Sequence, residues 1–164
     1  MAEPPLPDEC DTRIRRLYDY WRSVHPSSGG LPGRQDVDPA AIPDLLPWLW
    51  IVDVVRQPLR FRYRLVGTEQ VRVMERDFTG RFLDEVHPRF LGSATYPQYV
   101  AAAEDAEIGY FRGPPAFHIS KDYVAIERLI LPLARDGRTV DMLLAITVYY
   151  SPDQQQQRPA DTGG

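Results

Sequence analysis

The stretch Leu59-Arg60-Phe61-Arg62-Tyr63-Arg64-Leu65-Val66 alternates strictly between apolar residues and arginine. Successive side chains of a β-strand point to opposite faces of the sheet, so this alternation predicts a strand with one buried and one charged face. We expect the buried face to carry Phe61, Tyr63 and Leu65. We expect the charged face to carry Arg60, Arg62 and Arg64.

Further strands are predicted on both sides of this stretch. The preceding run Trp48–Val55 is rich in β-branched and aromatic residues, which is typical of a strand. Toward the C-terminus lie Tyr110-Phe111-Arg112 and Phe117-His118-Ile119, and then two long runs, Tyr123–Ala134 and Thr139–Tyr150. The last two are joined through Asp-Gly, a strong hairpin signal. Because the first and last strand groups form hairpins, the sequence predicts a five-stranded, mainly antiparallel sheet.

Short helices are predicted between the two strand groups. Thr68 can cap a helix over Glu69–Glu75 with Val71 and Met74 on its apolar side, and Asp77–Val86 is typical of a turn followed by a short helix. Tyr96–Ile108 is a third helical segment, and Ala40–Leu46 a further one that precedes the sheet. We expect an α+β fold with these helices over one face of the sheet.

An amphipathic helix is predicted at residues 12–25. Its apolar residues recur at spacings of three and four, and Asp11 or Thr12 can cap its start. The stripe consists of Ile14, Leu17, Tyr18, Trp21 and Val24. It can pack on its own sheet or on another subunit, and we expect a homodimer that uses Ile14, Leu17, Tyr18 and Trp21.

Length and composition fit one globular domain. The chain has 164 residues, of which 43% are hydrophobic and 26% charged. The ends, residues 1–11 and 151–164, have few apolar side chains to bury and are predicted to be disordered, which leaves a single domain over residues 12–150.

Charge and cysteine content exclude several classes of protein. A net charge of −4 disfavours binding to nucleic acid or to anionic membranes. The only cysteine, Cys10, excludes an internal disulfide and a cysteine-based metal cluster. With no stretch of about 18 apolar residues and no secretory signal, a cytoplasmic location is expected.

Evidence for catalysis or metal binding is weak. Asp84, Glu85 and His87 form the one acid/base candidate, but adjacent helical positions point about 100° apart, so the two carboxylates do not easily face one substrate. Known nucleophile and phosphate-binding motifs are absent, and the three histidines lack metal-site spacing. We therefore expect no enzymatic activity and no metal, and keep a small enzyme as the least favoured hypothesis.

A set of aromatic and flexible side chains is expected between the sheet and the helices. It forms either a closed core or the lining of a small-molecule pocket, for which Tyr63 would supply a polar group. The pocket candidates are Phe61, Tyr63, Met74, Phe78, Phe82, His87, Phe111, Leu129 and Met142.

Arg60, Arg62 and Arg64 repel one another unless negative groups lie opposite. We favour pairing with carboxylates on other strands, for which Glu127, Asp141 and Asp53 are the candidates. The alternative is a face that binds an anion or a partner protein.

The order of several motifs resembles that of the PAS domain family, and particularly its compact stand-alone bacterial members. They are Leu17-Tyr18-Asp19-Tyr20-Trp21, Pro43-Asp44-Leu45-Leu46-Pro47, Phe61–Thr68, Thr79-Gly80-Arg81-Phe82-Leu83-Asp84-Glu85, and Ile130-Leu131-Pro132-Leu133. The resemblance covers roughly residues 11–150. It implies a five-stranded sheet, helices over one face with a pocket beneath them, and a role in sensing or protein interaction.

The resemblance also bears on cofactors. Members of the family hold haem, flavin or small organic acids between the sheet and the helices, or hold nothing and serve as dimer modules. Flavin members that sense light need a cysteine in the helix over the pocket, and photoactive members need one for a thioester; Cys10 lies in neither place, so neither chromophore is expected. His87 follows the helix that supplies the haem ligand in some relatives, but we favour a histidine that interacts with the helix dipole.

These observations predict a sensory or regulatory module without its own output domain. It would bind a small molecule, a protein signalling partner, or both. The alternative is a structural interaction domain with a closed core.

Overall fold

Five antiparallel strands form one sheet in the computed structural model, which describes residues 6–115, 117 and 122–156. The strands are β1 Leu49–Val55, β2 Arg60–Val66, β3 Gly109–Gly113, β4 Ala125–Leu133 and β5 Met142–Tyr150. The helices are α1 Thr12–Ser23, α2 Thr68–Met74, α3 Leu83–Val86, α4 Tyr96–Asp105 and α5 Pro152–Gln156. The strand order is β2-β1-β5-β4-β3. The predicted α+β architecture is confirmed.

The hairpin of β4 and β5 is the centre of the sheet. Its turn is held by Asp136, whose carboxylate accepts hydrogen bonds from the backbone N–H groups of Arg138 and Thr139, both at 2.8 Å. Gly137 has a φ of 81°, a conformation that glycine adopts without strain. Every residue of β4 is buried, as expected for a strand covered on both faces.

The two faces of the sheet carry separate hydrophobic cores. One lies under α1, and the other lies under α2, α3 and α4. Side chains alternate along β4, so Leu129 belongs to the core under α1 whereas Ile130 belongs to the core under the short helices. Met142 also packs against the core under α1. The short helices thus cover one face, as predicted, and α1 covers the other.

The apolar stripe of α1 packs against the chain's own sheet. Ile14 and Leu17 are fully buried, and Tyr18 and Trp21 are each 5% exposed. Trp21 also donates a hydrogen bond from Nε1 to the backbone oxygen of Pro132 at 3.0 Å. The prediction that these four side chains form a dimer interface is therefore wrong. They are buried against the chain's own sheet and are not exposed to a second subunit.

A buried carboxylate ties the start of α1 to the sheet. Asp11 caps the helix by accepting a hydrogen bond from the backbone of Arg13 at 2.9 Å. Glu127 of β4 in turn accepts hydrogen bonds from the backbone N–H of Asp11 at 2.9 Å and from the Tyr110 hydroxyl at 3.0 Å. The Tyr150 hydroxyl lies within hydrogen-bonding distance of both carboxylates. The sequence of α1 alone does not predict this tie.

We expect Glu127→Ala to lower the free energy of unfolding by about 2 kcal/mol, because buried donors that lose their acceptor pay the full cost of desolvation. Urea denaturation measures this. Glu104→Ala, at an exposed position of α4, is the matched control and should change stability by less than about 0.5 kcal/mol. Equal effects of the two substitutions would contradict a stabilising role for the Glu127 network.

Some local predictions are wrong. Residues 40–46 do not form one helix, because Pro43 has no N–H to donate within a helix. They begin in one 3₁₀ turn, Pro39–Ala41, and end in another, Leu46–Trp48. Leu65 is 40% exposed, since the pairing of β1 with β2 shifts register between Ile51 and Val52 and so breaks the alternation.

The beginning of α2 and the chain ends also differ from expectation. Gly67, not Thr68, is the N-cap of α2, and the buried side chains of that helix are Gln70 and Val73. Leu6 is buried against the core under α1, so the predicted disorder of residues 1–11 does not extend to residues 6–11. Residues 152–156, placed in the predicted tail, form α5. His118 and Ile119 of a predicted strand lie outside the described residues.

In the described part of the chain, no helix combines the length and the apolar character that crossing a membrane requires.

Candidate functional site: a cavity between the sheet and the short helices

A cavity of about 50 Å³ lies between the sheet and the helices α2 to α4. That is more than the roughly 10–15 Å³ that one water molecule needs. The described residues that line it from the sheet are Trp50, Tyr63, Ile126, Arg128, Thr147 and Tyr149. Those that line it from helices and loops are Gln70, Met74, His87, Tyr99, Pro115 and Phe117. Aromatic rings thus dominate the wall, with a few polar groups between them.

Gln70 is the polar link between α2 and the sheet. Its side-chain N–H groups donate to the backbone oxygens of Trp48 at 2.6 Å and Thr147 at 3.0 Å. Its side-chain oxygen accepts a hydrogen bond from the Tyr149 hydroxyl. Trp50 donates from Nε1 to the Thr147 hydroxyl at 2.9 Å. These bonds satisfy the buried polar groups at this end of the cavity and fix the position of α2.

His87 and Tyr63 form a second polar pair in the cavity wall. The Tyr63 hydroxyl and His87 Nε2 lie 2.8 Å apart, and the His87 ring stacks on Phe117 with centroids separated by 4.2 Å. Burial lowers the pKa of His87 to about 4 and raises the pKa of Tyr63 well above its ordinary value. At neutral pH both groups are therefore uncharged. A charge interaction between His87 and the end of α3, the interpretation favoured from sequence, is not what holds this residue.

Arg128 is the charged group among the described residues of the cavity wall. The residue is 3% exposed, and one guanidinium nitrogen, Nη2, donates to the side-chain oxygen of Gln98 at 2.7 Å. The guanidinium also lies 5.6 Å from the ring centre of Tyr99 and 5.3 Å from that of Phe111. Its Nε is buried and makes no hydrogen bond among the described residues. Within the described residues, one amide and two rings thus hold this side chain.

The predicted pocket residues fall into three groups. Tyr63, Met74 and His87 line the cavity. Phe61 and Phe78 pack in the same core without lining it, Phe111 lies beside Arg128, and Phe82 lies under Arg60, whose guanidinium is 3.7 Å from the ring centre. The prediction that Leu129 and Met142 line the pocket is wrong, because strand alternation places them against the core on the opposite face of the sheet.

Sequence reasoning missed Gln70 and Arg128. The signal for Arg128 was present, since β4 reads Ala-Ile-Glu-Arg-Leu-Ile-Leu-Pro-Leu and contains two charges in an otherwise apolar run. Buried charges are rare unless they serve a network or a ligand. Alternation along the strand separates these two charges, so Glu127 holds α1 and Arg128 faces the cavity.

Carboxylates pair with each residue of the arginine row on β2. Arg60 bonds Asp84 at 3.0 Å and Glu85 at 3.2 Å. Arg62 lies 3.3 Å and Arg64 3.7 Å from the same carboxylate oxygen of Asp53. These contacts agree with the prediction that the arginines pair internally. Of the three predicted partners, Asp53 takes part in the pairing, whereas Glu127 and Asp141 do not. The other partners come from α3.

These ion pairs separate the three residues of the acid/base hypothesis. Asp84 and Glu85 form ion pairs with Arg60 of the edge strand β2, whereas His87 contacts Tyr63 in the cavity wall. Among residues 6–115, 117 and 122–156, no three His, Cys, Asp or Glu side chains are grouped so that they could hold a metal ion.

Haem and flavin do not fit the residues present. The cavity is far smaller than the roughly 300–1,000 Å³ of a site for a large organic ligand. The Nε2 atom of His87, one of its two possible iron ligands, is engaged by Tyr63. Cys10 packs against the core under α1, on the opposite face of the sheet.

The fold and cavity define a class of small α+β domains in which an antiparallel sheet and short helices enclose a site between them. The family model of the PAS domain matches residues 11–148. The chain belongs to the PAS domain family, a family of signal-sensing modules that are generally sensory and not catalytic. This confirms the resemblance to the PAS domain family, whereas membership of its compact stand-alone bacterial subgroup stays a prediction.

Other comparisons add little to this assignment. No curated protein matches the chain. One similar solved structure is described as an RNA-binding light-oxygen-voltage receptor, with 13% sequence identity and a TM-score of 0.43. The match covers 96% of this chain but 40% of the receptor chain.

Proposed function

We propose that residues 12–150 form a cytoplasmic sensory module whose signal is a small molecule bound in the cavity between the sheet and the short helices. The observation that carries this proposal is the cavity itself, which combines aromatic walls with buried polar groups, the usual composition of a small-molecule site. Its volume restricts the ligand to a compact molecule.

The signal would leave the domain by association with another protein. The cavity reaches α2 through Gln70 and Met74, so a ligand that contacts these residues can change the position of that helix. We propose a protein signalling partner or a second copy of the chain as the recipient. A second copy would have to use a surface other than the buried stripe of α1.

Native mass spectrometry of protein purified from its own host tests the ligand proposal. We expect a small non-covalent added mass, and an absorption spectrum without Soret or flavin bands. Met74→Phe should fill part of the cavity and abolish the added mass. Met142→Phe, the same substitution against the opposite core, should retain it.

A bare mass for the unmodified protein would contradict the proposal and favour the interaction domain with a closed core. Retention of the added mass by Met74→Phe would place the ligand elsewhere. Far-UV circular dichroism establishes that both variants are folded.

A further inference from the structure

We propose that the signalling partner binds to the exposed face of β2 through a segment in which a carboxylate lies beside an apolar side chain. The binding site, termed the β2 surface, consists of Arg60, Arg62, Arg64, Leu65 and Phe82. This inference rests on the proposed function, in which the signal leaves the domain by association with another protein, and it names the surface and the chemistry of the partner.

The β2 surface lies beside the part of the sheet that α1 covers. Helix α1 packs against β4 and β5. Tyr63 of β2 belongs to the core under the short helices, so strand alternation turns Arg62 and Arg64 to the opposite face. Leu65 lies on that face as well, because it pairs with Ile51, which belongs to the core under α1. The side chains of Arg62 and Arg64 are 43% and 58% exposed, and Leu65 is 40% exposed, so they are accessible to a partner.

Positive charge is in excess at one end of the β2 surface. Arg62 and Arg64 lie 3.3 and 3.7 Å from the same carboxylate oxygen of Asp53, and Arg62 donates a hydrogen bond to it. Two guanidinium groups thus share one carboxylate, which leaves a net positive charge on these three side chains. Each guanidinium carries several N–H donors in a planar fork, and a second carboxylate would use those donors and balance the charge. Charge complementarity therefore favours an acidic group of the partner at this end.

The other end of the β2 surface disfavours a polyanion. Arg60 is paired there with two carboxylates, Asp84 at 3.0 Å and Glu85 at 3.2 Å. A nucleic acid carries a negative charge at every nucleotide and would meet these carboxylates, whereas a peptide can place a single carboxylate beside uncharged side chains. The exposed side chain of Leu65 adds an apolar contact next to the arginines. These observations favour a protein partner over RNA or DNA.

The backbone in the middle of β2 is already paired, so a partner has to bind through side chains. The N–H of Tyr63 donates to the backbone oxygen of Arg81 at 2.9 Å, and its oxygen accepts a hydrogen bond from the N–H of Gly80 at 2.7 Å. The guanidinium of Arg60 lies 3.7 Å from the ring centre of Phe82. Because this contact and the ion pairs order the arginines before binding, association loses less side-chain entropy.

The β2 surface and the cavity share a strand. Tyr63, whose side chain lines the cavity, lies between Arg62 and Arg64 in the sequence of β2. Helix α3 carries Asp84, which bonds to the β2 surface, and is followed by His87, which contacts Tyr63 in the cavity wall. A ligand that displaces Tyr63 or His87 would therefore also displace the arginines on the opposite face of the strand.

Selection from a phage-displayed library of random peptides tests the inference. We expect the enriched peptides to share an Asp or Glu next to an apolar residue. A selected peptide should shift the backbone amide resonances of Arg62, Arg64 and Leu65 in a ¹H–¹⁵N spectrum. Replacement of its carboxylate by the corresponding amide should weaken binding about fivefold or more, because charge-assisted hydrogen bonds are lost.

Arg64→Glu should abolish binding of the selected peptide, and a peptide with Lys in place of its acidic residue should bind Arg64→Glu more tightly than the unmodified protein. Arg64→Lys should retain part of the affinity, because an ammonium lacks the planar fork. Arg138→Glu, at an exposed position of the turn between β4 and β5, changes the net charge equally and should leave binding unchanged. The side chain of Arg64 is largely exposed, so these variants should fold, which far-UV circular dichroism checks.

Equal binding of the acidic peptide and its amide, unchanged binding by Arg64→Glu, or the enrichment of no peptide would overturn the inference. Tighter binding of oligothymidylate than of the peptide, lost in Arg64→Glu, would overturn it in favour of a nucleic acid. A dimer in light scattering that dissociates in Arg64→Glu would overturn it in favour of a second copy of the chain. The proposed function fails separately, through a bare mass of the host-purified protein.

Discussion

Gly67→Ala is expected to lower the free energy of unfolding by about 3 kcal/mol or more, at the upper end of the cost of overpacking. A Cβ at this position would overlap the backbone carbonyl oxygens of Leu46, Pro47 and Leu49. Backbone oxygens do not rotate away as side chains do. The oxygen of Leu49 is also fixed by the hydrogen bond that it accepts from Gly67 N–H at 2.7 Å.

The effect should extend to the cavity. Gly67 is the N-cap of α2, and the first turns of that helix carry Gln70, which bonds the sheet. A displaced helix start would break those bonds and leave buried polar groups without partners. We therefore expect Gly67→Ala to lose any bound ligand as well as stability.

Gly92→Ala is the matched control. Nothing lies within 4 Å of a Cβ at that position, so stability should be unchanged or slightly raised through the smaller entropy of the unfolded chain. Both variants are compared by urea denaturation. A loss below about 1 kcal/mol for Gly67→Ala would show that the backbone around Gly67 can shift, contrary to its close packing against the carbonyl oxygens of Leu46, Pro47 and Leu49.

Much of the fold follows from local patterns. The alternation in β2, the Asp-Gly turn between β4 and β5, and the spacing of apolar residues in α1 depend on neighbours within a few residues, and each element is found where it is predicted. The exposed side chain of Leu65 was not predictable in this way. It follows from a register shift with Ile51 and Val52, which is a property of the paired strands and not of either sequence.

The site was less predictable because it depends on which face of the sheet a residue occupies. Leu129 and Arg128 are adjacent in sequence, and no local pattern states which of them faces α1. Polar residues such as Gln70 carry no apolar signal, although their burial defines the end of the cavity. The ion pairing of Arg60 was likewise not predictable, because the carboxylates of α3 approach Arg60 only in the folded chain.

We expect His87 to lower the free energy of unfolding as the pH decreases through the mildly acidic range. Burial lowers the pKa of His87 to about 4 in the folded protein, whereas its ordinary value is 6.5. Between these values the unfolded chain binds a proton and the folded chain does not, so protons favour unfolding. The contribution of neutral His87 is complete above pH 6.5, and we expect about 3 kcal/mol to be lost as the pH falls to 4.

Comparison with His87→Gln isolates this contribution. Carboxylates with lowered pKa values, such as Asp77 and Asp136, also destabilise the fold in acid, but they are present in both proteins and cancel in the difference. Glutamine retains a polar group for Tyr63 but does not titrate. The difference in unfolding free energy between the two proteins should be constant above pH 7 and should change by about 1.4 kcal/mol per pH unit within the window. A difference independent of pH would mean that His87 is protonated without cost, and therefore that it is in contact with water and not enclosed between Tyr63 and Phe117.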